Sequence, residues 1–151
     1  IEQDLPVTPM FLYAVLLWHP IRQAAARIYK EFDVSEMEAL LDACDEIVSD
    51  QQTHISYPRR FSVPMKDMLV MQRRFENHRG IRALRLLEHK RFRAAYDFLL
   101  LRARCGEVEQ DLADWWADVQ TLSAGEQRKA FGIRPRHQRS SSARSSARAA
   151  R

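Results

Sequence analysis

The sequence predicts an all-α fold, an irregular multi-helix domain with a disordered basic C-terminal tail. Three observations predict it. Apolar residues recur at helical spacing along most of the chain, and helix-start signals punctuate them. Only 4 Gly and 6 Pro among 151 residues are too few for the tight turns of a sandwich. A mix of 46% hydrophobic and 29% charged residues is that of a globular chain, and its length suits one domain of ordinary size.

Thr8 is placed to cap a first helix with Pro9 at its first position. That helix runs through Phe11, Leu12, Val15, Leu16 and Leu17, apolar on almost every face, the pattern of a helix buried on all sides. His19-Pro20 is expected to interrupt it, because proline disfavours a helical residue before it. Residues 20–30 then form a second, Ala-rich helix. Ser35 and Glu38 make a capping box opening a long helix to about Thr53, with Cys44 inside its apolar stripe as a packed thiol.

His54 to Pro64 reads as a proline-stiffened loop carrying Arg59-Arg60-Phe61. A helix from Ser62 through Met65, Met68, Leu69 and Phe75 ends near Gly80, a left-handed cap. Ile81–Leu87 is a short helix, 89–105 a strong one ending at Gly106, and Val108–Leu122 another, bearing Trp115 and Trp116. Ser123 and Glu126 offer a second capping box. After Ile133 no apolar residue exceeds Ala, so the tail cannot bury enough surface to fold. The organisation expected is a helical body over 1–132 and a disordered Arg/Ser/Ala-rich tail over 133–151.

The net charge of +4 conceals segregation. Residues 1–56 carry −7, 57–104 carry +9, 105–127 carry −6, and 128–151 carry +8; 20 of the 24 basic residues are arginine. Arginine is favoured where planar, bidentate contacts to phosphate or carboxylate matter. The longest apolar run, Met10–Trp18, has 9 residues and is too short for a bilayer. The start lacks a basic signal-peptide region and an initiator Met, so a fragment of a longer, cytoplasmic protein is expected. Two distant cysteines make neither a zinc framework nor a disulfide scaffold. No phosphate loop, nucleophile elbow or HExxH motif is present, and the five histidines have no ligand spacing. The acidic triplets Asp42/Asp45/Glu46 and Asp111/Asp114/Asp118 read as solvated helix faces.

The basic block points to an anion-binding surface. Arg73 and Arg74, then Arg79, Arg82 and Arg85, crowd 13 positions, and Arg82 and Arg85 share a helix face. Lys90 and Arg91 sit at a helix start, where cations oppose the macrodipole. Aromatic residues interleave with the arginines, so single-stranded nucleic acid is the natural ligand. Phosphate contacts are assigned to Arg59, Arg60, Arg73, Arg74, Arg79, Arg82, Lys90 and Arg91, and base stacking to Tyr57 and Phe61. Phe92 fits either core or stacking, while Tyr96 and Asp97 belong inside the fold, Asp97 paired with Arg93. Two other readings stand beside this one: internal pairing of arginines with the flanking acidic blocks, and docking of an acidic protein partner.

Three stretches carry a resemblance: Thr8-Pro9-Met10-Phe11-Leu12-Tyr13-Ala14-Val15-Leu16-Leu17-Trp18, then Ile55-Ser56-Tyr57-Pro58-Arg59-Arg60-Phe61, then the run from Leu86 to Arg102 containing Arg91-Phe92-Arg93-Ala94-Ala95-Tyr96-Asp97-Phe98. With Trp115-Trp116 and the arginine tail, they resemble the C-terminal part of bacterial poly(A) polymerases, in the class II nucleotidyltransferase family. The resemblance implies a role in template-independent addition of adenylates to RNA 3′ ends. It implies ATP and Mg²⁺ for the full-length enzyme and none bound by this chain. The family's catalytic head, with its Gly-Ser motif and paired aspartates, is not in this sequence. The expected partners are therefore single-stranded RNA and that N-terminal head, with no membrane. CCA-adding enzymes share the head and rank second.

Overall fold

A computed structural model describes residues 8–54 and 59–134. Among them are seven α-helices, one 3₁₀ turn and no strand: α1 Pro9–Glu31, α2 Glu36–His54, α3 Arg59–Phe75, α4 Gly80–Leu84, the 3₁₀ turn Arg85–Glu88, α5 Phe92–Arg104, α6 Gln110–Thr121 and α7 Ala124–Ala130. The all-α expectation holds. The arginine tail from 135 onward, the stretch 55–58 with Tyr57, and residues 1–7 lie outside the described residues.

The helix-start signals act as the sequence indicates. Thr8 Oγ1 accepts from the Phe11 N–H at 3.4 Å, with Pro9 at the first position. Ser35 and Glu38 cap α2 reciprocally, the Ser35 N–H donating to Glu38 at 2.9 Å. Ser123 and Glu126 repeat the box on α7. Cys44 is fully buried.

Two expectations are corrected, both at prolines. His19-Pro20 does not interrupt the first helix; α1 is one 23-residue helix with Pro20 inside it. Pro20 leaves one helical carbonyl, that of Leu16, without its donor. Leu16 lies on the exposed side of the helix, 70% accessible, where water is available. On the other side Ala14, Trp18, Ile21 and Ala24 are buried, and this packing outweighs a local penalty of about 3 kcal/mol. Arg59-Arg60-Phe61 is likewise not loop but the first turn of α3, with Pro64 within the helix. The missing Pro64 donor falls near the open N-terminal end, and the Ser62 hydroxyl donates to the Arg59 carbonyl at 3.3 Å. Met65, Met68, Leu69 and Met71 below it are all 0–1% exposed.

Smaller differences follow the same logic. α3 ends at Phe75, and Gly80, left-handed at φ 81°, opens α4 rather than capping α3. The strong helix begins at Phe92, because 89–91 form a turn. The α1 face of Leu12, Val15 and Leu16 is exposed, so the helix is not buried all round.

The core runs between α1, α3, α5 and α6. Trp116 is fully buried and donates its indole N–H to the Phe75 carbonyl at 3.0 Å. Phe92, 7% exposed, packs edge-on against Phe75 and stacks with Tyr96, which settles it as core. Asp97 pairs with Arg93 as the spacing indicates.

A polar network crosses this core. Arg102, 8% exposed, donates to Glu107 at 3.2 Å and to Gln72 at 3.3 Å, and lies over the Trp18 ring at 4.8 Å. Gln72 in turn donates to the Ala95 carbonyl at 3.0 Å, and the Trp18 indole donates to Glu107 at 2.9 Å. Gly106, at φ 74°, makes the turn that returns Glu107 to Arg102, and the Glu107 N–H closes on the Arg102 carbonyl at 2.9 Å.

Partial burial raises the Glu107 pKa, but donation by Trp18 and Arg102, with Arg22 nearby, outweighs it and holds the carboxyl below its ordinary 4.5. A depressed folded pKa contributes stability above the unfolded value, lost as pH falls through the folded one. The melting temperature should therefore drop on acidification below pH 4.5. Glu107→Gln should be less stable at neutral pH and lose less over that acidic range; parallel pH profiles of the two proteins would refute the assignment. Burial also pushes the Cys44 thiol up to about 12, while Cys105 is exposed. Ellman titration of the native protein should count one thiol, and a second only in denaturant.

Candidate nucleic-acid interface

The sequence places two arginines, Arg73 and Arg74, in the last turn of α3, where cations are compatible with the helix dipole. The chain then turns: the Arg79 N–H donates to the Asn77 side chain at 3.3 Å, a local arrangement asparagine favours. Gly80 starts the short α4, which carries Arg82, and the 3₁₀ turn carries Arg85 and ends at His89. Arg82, Arg85 and His89 follow helical spacing and come to one side.

These side chains line an open groove of about 1020 Å³. Its other wall is the start of α2, with Ser35, Glu36 and Met37, and Met37, Ala83 and Leu86 supply apolar surface. Five arginines and two glutamates, Glu36 and Glu76, border it. Arg73 bridges both glutamates and is thereby neutralised. Arg74, Arg79, Arg82 and Arg85 have no carboxylate within ion-pair distance among the described residues. The groove is therefore a concentrated positive surface whose cations are free to meet an anion.

Of the residues singled out by sequence, Arg73, Arg74, Arg79 and Arg82 come together here. Arg59, Arg60 and Phe61 do not. They sit at the opposite end of α3, about 20 Å away at 1.5 Å per residue. There the Arg60 guanidinium lies over the Phe61 ring at 4.9 Å, and Phe61 is half-buried. Tyr57 lies outside the described residues. Lys90 is exposed just past His89; Arg91 is half-buried, its N–H donating to His89 Nδ1 at 3.1 Å and its Nε buried without a partner.

Arg85, His89 and the α2 start were not assigned a role by sequence, yet they line the groove. The three-residue step from Arg82 to Arg85 is the signal that reveals the first. Nothing in sequence links Ser35–Met37 to residues forty positions later. Internal pairing of basic with acidic segments is also real, but selective. It uses Arg22, Arg27, Lys66, Arg93 and Arg102, and leaves the groove arginines out, Arg73 excepted.

Among the described residues, no group of three or more His, Cys, Asp or Glu side chains converges as a metal site. None of the described helices is long and apolar enough to cross a membrane.

A family model described as the polymerase A arginine-rich C-terminus matches residues 33–151. Poly(A) polymerase I of Escherichia coli O6:H1 is 34% identical over 133 residues, covering 85% of this chain and 28% of that protein. The Salmonella typhi and Haemophilus influenzae proteins of the same name are 33% and 30% identical over 130 residues. The chain spans 28% of the length of the relatives it matches. Its matched family, over most of its length, is that of the polymerase A arginine-rich C-terminus, and the chain belongs to it.

Proposed function

We propose that this chain is the RNA-binding C-terminal portion of a cytoplasmic poly(A) polymerase, which holds single-stranded RNA while a catalytic head elsewhere in the polypeptide adds adenylates to the 3′ end. The observation that carries the reading is the groove, where four arginines without carboxylate partners surround an apolar strip. Phosphates suit the guanidinium forks, and unstacked bases suit the strip. ATP and Mg²⁺ belong to the head. In this reading the body covers 1–132 and the tail 133–151, which adds sequence-independent attraction for phosphates. Arg59, Arg60, Phe61 and Tyr57 form a second contact region at the far end of α3, and Lys90 and Arg91 extend the groove.

Filter binding of single-stranded RNA against salt tests the reading. Each phosphate contact contributes about −0.7 to the log–log slope. Arg74→Ala/Arg82→Ala should weaken binding and flatten the slope by about 1.4, with an unchanged melting temperature. Arg59→Ala/Arg60→Ala should have a separate, smaller effect. No binding by the parent chain at low salt would overturn the RNA reading. Incubated with an RNA primer, ATP and Mg²⁺, the chain should leave the primer unextended; adenylate addition by pure protein would place the chemistry within these residues.

A further inference from the structure

Arg73 differs from the other arginines of the groove. It stands in the last turn of α3, and its two terminal nitrogens go to different carboxylates. Nη1 engages Glu76, three residues further along the chain. Nη2 engages Glu36, in the first turn of α2. Both glutamates border the groove, Glu76 on the α3 side and Glu36 on the α2 wall opposite. One planar guanidinium fork therefore holds a carboxylate on each wall, a geometry the point charge of a lysine does not supply.

The three side chains are 39%, 50% and 44% accessible for Arg73, Glu36 and Glu76, so both pairs face solvent. Pairs this exposed add little to the stability of the fold. Their larger effect is on the charge the groove presents. Arg74, Arg79, Arg82 and Arg85 have no carboxylate within ion-pair distance among the described residues. Released from Arg73, Glu36 and Glu76 would stand beside these four cations, compete for them and repel an incoming phosphate.

We infer that Arg73 is a positioning residue of the groove rather than a phosphate contact: by taking up Glu36 and Glu76 it keeps both carboxylates from the strand and from the four free arginines. The inference rests on the RNA-binding reading above and divides the work of that site. Four arginines grip the strand, and a fifth keeps them available.

Charge rescue tests the division. An oligouridylate of about fifteen nucleotides is titrated against salt with four proteins: the parent chain, Arg73→Ala, Glu36→Gln/Glu76→Gln, and the triple variant Arg73→Ala/Glu36→Gln/Glu76→Gln. Arg73→Ala should bind about tenfold more weakly. Its log–log slope should flatten by about 0.7 for each arginine that a freed carboxylate captures. The glutamine pair should bind at least as tightly as the parent. The triple variant should return to within about twofold of the parent, with the parent's slope, because the same four arginines are free in both. An unchanged affinity in Arg73→Ala, weaker binding by the glutamine pair, or a triple variant whose slope stays flatter than the parent's by about 0.7 would overturn the inference. The last result would make Arg73 itself a phosphate contact. Should Arg73→Ala alone fail to fold, the triple variant, which leaves neither carboxylate unpaired, decides by the same two readings. Absence of RNA binding by the parent chain at low salt would instead count against the RNA-binding reading, and this role would fall with it.

Discussion

Arg102 is the cation around which the helices are arranged. A guanidinium 8% exposed must find its partners inside the fold, and it finds them on three elements: the Trp18 ring on α1, Gln72 on α3 and Glu107 at the turn into α6. Gln72 passes the constraint on to the backbone of α5 through the Ala95 carbonyl. With Gln72 held inward, the following two residues are rotated away from the core by about 100° each. Those residues are Arg73 and Arg74, which line the groove. A buried polar network thus sets the rotation of α3, and the rotation of α3 aims the arginines.

The same structure sorts its charges by use. Pairs such as Arg27–Glu46 and Lys66–Asp45 join neighbouring helices at the surface, where such contacts are worth little individually. Around the groove most arginines are left without carboxylates, and the two glutamates present are both engaged by Arg73. Selective pairing is how a chain of net charge +4 presents a locally strong positive surface.

Much of this was legible in the sequence. The capping boxes at Ser35 and Ser123, the burial of Cys44, and the Arg93–Asp97 pair follow from local spacing alone, and the structure agrees. The prolines misled because local rules overstate them: Pro20 and Pro64 each remove one hydrogen bond, whereas the helices around them bury whole faces. In sequence Arg102 is one more cation in the last turn of a helix, where the helix dipole already accounts for it. Only the fold reveals that Gln72 and Trp18, distant in sequence, surround it. The groove is partly legible for the same reason. Arg79, Arg82 and Arg85 are close in sequence, but the α2 wall opposite them is not. Arg59 and Arg60 fit the basic pattern as well as Arg73 and Arg74 do, yet α3 is long enough to keep the two pairs apart.

The methionines on the buried face of α3 bear on how the core tolerates substitution. Met65, Met68 and Met71 are unbranched, flexible and polarizable, and they fill irregular space without demanding one partner shape. Exchanges with leucine at such positions cost under about 1.5 kcal/mol when volume is kept. The helix that carries arginines at both ends therefore rests on a forgiving seat, one through which substitutions elsewhere in the core are absorbed.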